Sequence, residues 1–186
     1  ILGITGFAKV RKDIPYTESE LIPIQIVSEI ISNTLVKQAT ETLLKESEEE
    51  NRKVFQNLST GIIYQDRTGK IIKANPSSLH LLGLSFEEIQ HGVIQNPSWQ
   101  AFSVNGEKIN SLHQVSQRCF DTGLPVVKEI ITITRPYTTR PIWLSLDAIP
   151  EFLPDQVHAH RVFISLNDIT ERIEAESKLE KNIKLI

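Results

Sequence analysis

Ala159-His-Arg-Val-Phe-Ile-Ser-Leu-Asn167 runs directly into Asp168-Ile-Thr-Glu-Arg172, and this stretch decides the fold. Val162, Ile164 and Leu166 alternate with Arg161, Phe163, Ser165 and Asn167, the period of a strand with one buried face. At Asp168 the period changes. Asp168 or Thr170 supplies a helix cap, and Glu171 and Glu174 suit the positive end of the helix that follows. That helix, to Ile186, carries a thin apolar seam of Ile169, Ile173, Ala175, Leu179, Asn182 and Ile186, beside the charge pairs Glu174–Lys178 and Glu180–Lys184. So narrow a seam is more stable against a partner helix than alone.

Working upstream, Ile142–Ile149 repeats the alternation. Ile142, Leu144, Leu146 and Ala148 share one side, and Trp143, Ser145, Asp147 and Ile149 the other. Val126–Arg135 is a third strand, joined to it through a turn region holding Pro136 and Pro141. Each strand has one apolar and one mixed face, as in a half-buried antiparallel sheet. Trp143, Ile149 and Phe163 lie on the mixed face, which predicts a cover there, either a helix or a second subunit.

A helix from Ser111 to Thr122 ends at Gly123, and residues 91–110 show turn signals (Asn96-Pro97, Asn105-Gly106) without clear periodicity. Ser85 with Glu88 opens a short helix. Asn75-Pro76 opens another, with asparagine as cap and proline at the first helical position, and Gly83 stops it. Gly61–Asp66 and Lys70–Ala74 read as a hairpin around Asp66-Arg-Thr-Gly69. Before it, a long helix starts at the Thr17/Glu20 capping box, carries Ile24, Val27, Ile31 and Leu35, and continues through the polar run Lys45–Lys53 to Leu58. Residues 1–13 read as a lone strand without a partner.

The chain has 186 residues, 40% hydrophobic and 23% charged, enough for one domain with a core plus an extension. Twenty basic against 23 acidic residues give a net charge of −3, which predicts no broad grip on nucleic acid or acidic lipid. One cysteine excludes an intrachain disulfide and suits a reducing compartment, so a cytoplasmic location is expected. No apolar run approaches the roughly 18 residues of a membrane helix, and no signal peptide is expected. The sequence opens at Ile1 and contains no methionine, so it is expected to be a fragment of a longer protein.

Tyr64-Gln-Asp66 with Gly69, then Asn75-Pro76 and Leu82-Gly83, resemble the start of a PAS domain, and Asn167-Asp-Ile-Thr-Glu-Arg172 resembles the motif that closes many of them. Pro97-Ser-Trp99, Asn105-Gly106 and Thr122-Gly123 are similar to a PAS subgroup of bacterial signalling proteins. Residues 1–44, through Gly6-Phe7 and Thr17-Glu18-Ser-Glu20, resemble the last strand and final helix of a GAF domain. The resemblance implies an α+β fold, a five-stranded antiparallel sheet with short helices on one face, flanked by long signalling helices. It divides the chain into a GAF remnant (1–16), a connecting helix (17–58), the PAS domain (59–168) and a signalling coiled-coil helix (169–186). It also implies that Asp168 and Thr170 tie the last strand to the outgoing helix, with Arg135 or Arg140 as the aspartate's basic partner.

For catalysis the sequence offers no glycine-rich phosphate loop, no G-x-S-x-G elbow and no His-Glu-x-x-His pair. Cys119 sits in Gln117-Arg-Cys-Phe-Asp121, without the cysteine signature of flavin-binding light sensors, and reads as a semi-buried thiol. His113 lies on the helix where haem-binding relatives carry their axial histidine; a helix-surface or pocket-wall imidazole is the plainer reading. His158 and His160 lack a third metal ligand. Leu144, Leu146, Val162 and Ile164 would line a pocket between sheet and helices, or simply form core.

These readings predict a non-catalytic sensory relay module, homodimeric through its flanking helices. Its exit helix would act on a downstream diguanylate cyclase, phosphodiesterase or histidine kinase in a bacterial chain. No cofactor, metal, nucleic acid or membrane contact is predicted. The alternatives are a chemosensor holding haem, flavin or a small metabolite in the PAS cavity, and a dimerisation scaffold that does not switch.

Overall fold

The structure, a computed structural model, describes residues 18–91, 97–109, 111–136, 138 and 140–183. The chain divides into two compact units, Ile1–Arg52 and Lys53–Ile186. The lone strand at 1–13, the Thr17 cap and the GAF-like remnant at 1–16 lie outside the described residues.

Helix α1 (Glu18–Asn57) runs through the polar stretch Lys45–Lys53. In the first unit Val27, Ile31 and Leu35 of the expected stripe are exposed, as are Ile26, Ile30, Val36, Leu43 and Leu44. Thr34 and Thr40 donate their hydroxyls back to the carbonyls of Ile30 and Val36, which keeps these polar groups satisfied on the helix itself.

The second unit follows α1 with β1 (Gly61–Asp66), β2 (Ile71–Ala74), α2 (Pro76–Leu82), α3 (Phe86–Ile89), β3 (Gln100–Ser103), β4 (Lys108–Ile109), α4 (His113–Thr122), β5 (Val126–Thr134), β6 (Ile142–Glu151), β7 (Arg161–Asp168) and α5 (Thr170–Ile183). The strands form one sheet in the order β2-β1-β7-β6-β5-β3-β4, with every neighbouring pair antiparallel. The α+β expectation holds: an antiparallel sheet with short helices and a long N-terminal helix. Two strands exceed the expected five. β3 and β4 fall in the stretch that showed no periodicity, and β3 is held by β5 through Ala101–Ile133 and Ser103–Ile131.

Local chemistry explains the helix ends. Asn75 Oδ1 accepts from Ser78 N, with Pro76 at the first helical position, and Gly83 closes α2 at φ 67°. Ser85 and Glu88 form the reciprocal capping box of α3. At Gly61 the reason for glycine is space: an added Cβ would stand 2.9 Å from Ser78 Cα, so β1 lies directly against α2. β5 carries a bulge between Val126 and Glu129. There Lys128 takes φ 55° and donates its N–H to Asp147 Oδ1 at 2.7 Å.

The inner face of the sheet builds the core. Leu144, Leu146, Val162, Ile164 and Leu166 are fully buried in one cluster with Leu82, Ile89 and Val115 of the helices. The topology also fixes where the chain comes in and leaves. β1 and β7 are paired neighbours inside the sheet, with Gly61 opposite Leu166, so the start of the first strand and the end of the last lie side by side.

Candidate functional site

The site grows from the end of β7. Asp168 is the last residue of that strand and sits opposite Leu144 of β6. Its Oδ1 accepts the N–H of Thr170 at 2.9 Å, satisfying one of the free donors at the start of α5. The Thr170 hydroxyl oxygen accepts the N–H of Trp143 at 2.9 Å, while Ile169 N–H donates to Trp143 O at 2.9 Å. The first turn of α5 is thus fixed to the β6 backbone from both sides of one residue.

Neither arginine takes the partnership expected of it. Among the described contacts, Arg140 pairs with Glu174 of α5 rather than Asp168. The hydrogen bond and charge of Glu174 hold the Arg140 guanidinium protonated more firmly than usual. Arg140 therefore meets the exit helix one turn beyond Thr170, and Glu174 is engaged there rather than with Lys178. Arg135 donates from Nη1 to His80 O at 3.4 Å, and its aliphatic stem packs beside Gly83. The sequence left this choice open because the turn between β5 and β6 sets it, not the strands.

On the incoming side the buried side chain of Asn75 gathers three backbone groups. Its Oδ1 accepts from Ile62 N (2.8 Å) and Ser78 N (2.9 Å), and its Nδ2 donates to Thr60 O (2.9 Å). Ser77 donates its hydroxyl to Leu58 O. Thr60 Oγ1 donates to Asn167 Oδ1 at 3.0 Å, across from the first strand to the residue before Asp168.

Trp143, Ile149 and Phe163 lie on the outer face of the sheet. Phe163 stands opposite Tyr64 and Ile149, and meets the Tyr64 ring edge-on at 5.5 Å. Ile149 remains 44% exposed. Phe55, from the last turns of α1, sits 6.5 Å from Tyr64 by ring centres. Lys73 lies over Phe55 at 4.2 Å, and Arg161, paired with Glu151, lies over Tyr64 at 4.6 Å. Cation and ring attract through the ring quadrupole, so the end of α1 is held on this face by two stacked aromatic and cationic contacts. Nothing local in the sequence marked Phe55 or Thr60 for these contacts, and it marked Asn75 only as the cap of α2.

The inner-face residues divide differently. Leu144, Leu146, Val162 and Ile164 fill the space between sheet and helices as core. His113 packs its ring on Gly69, with Nδ1 3.3 Å from Ser116 Oγ. Ser116 also donates to Gln65 Oε1, and Gln65 Nε2 donates to Gly69 O at 2.6 Å. This buried polar node ties α4 to the first hairpin, and nothing in it favours haem or flavin.

Cys119 lies in the core with Sγ 3.3 Å from Ala148 O, and burial pushes its thiol up from the ordinary range. β7 begins at Arg161 rather than Ala159, so His158 and His160 belong to the preceding loop. There His160 is held to the Glu151 carbonyl. Among the described residues no cluster of three or more histidine, cysteine or acidic side chains is placed to hold a metal, and no helix is long and apolar enough to cross a membrane.

Residues 49–130 match the PAS domain family; β6, β7 and the Asp168–Thr170 junction lie beyond the match. Over 84 residues, 45% of this chain, the sequence is 37% identical to sporulation kinase E of Bacillus subtilis (strain 168) and covers 11% of that kinase. Among solved structures, an RNA-binding light-oxygen-voltage receptor is similar with TM-score 0.50 at 16% identity, covering 75% of this chain and 38% of that one. The PAS domain of a protein from Colwellia psychrerythraea matches with TM-score 0.47 at 20% identity, covering 66% and 97%. At 16% identity the likeness to the light-oxygen-voltage receptor is one of fold.

Proposed function

We propose, from the match of residues 49–130 to the PAS domain family and the likeness of 84 residues to a sporulation kinase, that the chain is a non-catalytic sensory relay module. It works in the cytoplasm as a homodimer through α1 and α5. Its exit helix passes a conformational change to an output domain that follows in the same polypeptide: a histidine kinase, diguanylate cyclase or phosphodiesterase. Asp168 and Thr170 are the anchor. Arg140 steadies the helix through Glu174, and Trp143, Ile149 and Phe163 form the face on which helices or the second copy pack.

The observation that carries this reading is the double attachment of Trp143 to Ile169 and Thr170. A helix bonded at its first turn to a central strand must follow that strand when the sheet twists. Such a relay needs two arrangements only a few kcal/mol apart, and a helix whose Leu179 is exposed can change partners at that scale.

The test uses the full-length protein and its output activity. Inserting seven residues after Glu171 preserves the phase of a two-stranded helical seam, whereas inserting four turns it by about 50° and so moves the apolar seam off its partner. The expected result is that signal response survives seven and is lost or inverted with four. Equal tolerance of both insertions means that helical phase is irrelevant and overturns the reading.

A further inference from the structure

We infer that the hydrogen bond from Thr60 to Asn167 is the link that carries movement of the incoming helix to the exit anchor, so that Thr60 is a positioning residue. This rests on the relay reading above and names its internal route. Register puts the two residues together. The β1–β7 ladder reaches Gly61 opposite Leu166, and one step beyond it Thr60 and Asn167 meet through side chains at 3.0 Å.

The short connector from α1 is tied at Leu58 and at Thr60. Leu58 N–H donates to Val54 O, which keeps it in register with the last turn of α1. Leu58 O accepts from Ser77, and Thr60 O accepts from Asn75 Nδ2. Two residues before Asn57, Phe55 rests on the outer face beside Tyr64, clasped by Lys73. A shift of α1 at Phe55 therefore has little slack before it reaches Thr60.

On the other side, Asn167 is bonded through one planar peptide to Asp168, whose carboxylate holds the N–H of Thr170. A pull on the Asn167 side chain turns that peptide and with it the cap of α5. The rest of the sheet offers a second route, through the strand ladder and the core. The two routes differ in one respect: only the first requires the Thr60 hydroxyl.

The test is a double-mutant cycle on this chain, read by amide hydrogen exchange. Phe55→Ala loosens the end of α1. It is expected to raise exchange at residues 61–66, and to raise it at 169–175 by about threefold or more. In a Thr60→Val background, which keeps the shape and removes the donor, the same change still raises exchange at 61–66. At 169–175 its further effect falls below about 1.5-fold. Thr60→Ser restores the donor and the full effect at 169–175. Asn167→Ala, which removes the acceptor, reproduces Thr60→Val and serves if valine at 60 fails to fold. A rise at 169–175 that is equal with and without the hydroxyl overturns the inference, as does no rise there in any background. The readout does not involve the output domain, so failure here with phase-sensitive insertions after Glu171 leaves the relay reading in place and moves its route to the ladder.

Discussion

Leu146→Ala is expected to lower folding stability by about 3–4 kcal/mol. Leu146 is fully buried in the middle of β6, opposite Leu166 on one side and Glu129 of β5 on the other. Three strands and α4 converge on that part of the sheet, so neighbours cannot collapse into the space without bending a paired strand. The loss then includes both the transfer of the missing methyl groups and the cavity they leave. Urea denaturation followed by circular dichroism measures it as a lower midpoint with an unchanged slope. The same experiment separates core from pocket. A side chain that already borders free space has fewer contacts to lose, and a drop of less than about 1.5 kcal/mol would place Leu146 at such a boundary.

Asn75→Ala is expected to cost about 2–4 kcal/mol, although it removes no apolar packing. The side chain is fully buried and satisfies Ile62 N–H, Ser78 N–H and Thr60 O together. Alanine leaves Ile62 N–H and Thr60 O without their partner, and Ser78 N–H with only its bond to the Asn75 carbonyl at 3.1 Å. Loss of the cap alone accounts for about 1 kcal/mol, and the rest comes from the unpaired groups of β1 and its connector. Differential scanning calorimetry should show a fall in Tm of about 10 °C. A loss confined to the cap value would mean that water replaces the amide at Ile62 and Thr60, and that the connector is looser than its bonds indicate.

The parts of this fold legible in sequence are those set by local periodicity and local capping. Alternation in Ile142–Ile149 and Arg161–Asn167 named the buried faces because one side of each strand meets the core and the other does not. Ser85 with Glu88, Asn75-Pro76 and Gly83 named helix ends because the bonds they make are three or four residues away. β3 was not legible. Gln100-Ala-Phe-Ser103 is four residues long, has a single buried residue in Ala101, and exists because β5 pairs with it from some thirty residues downstream.

The site shows the same division. The change of period at Asp168 marked the junction, and the structure adds the Thr170 cap bond. The basic partner was not legible, because Arg140 reaches Glu174 across the turn that precedes β6. Thr60 and Asn167 are 107 residues apart, and Gln65 and Ser116 are 51 apart. Two uncharged polar residues at such separations leave no pattern in a single sequence, yet one pair joins the two ends of the domain and the other locks α4 to the first hairpin.

The anchoring of α5 to β6 is tested most directly by the exchange rate of one proton, the amide of Trp143, in Thr170→Val and Thr170→Ser. Valine keeps the size of the side chain and removes the acceptor. The expected result is Trp143 exchange faster by about tenfold, with matching loss of protection at 171–173, while Leu146 and Ile164 amides stay unchanged and serine restores the native rate. Trp143 protection that is the same with valine as with threonine would show that the exit helix is not held through this hydroxyl, and would contradict the anchor on which the relay depends.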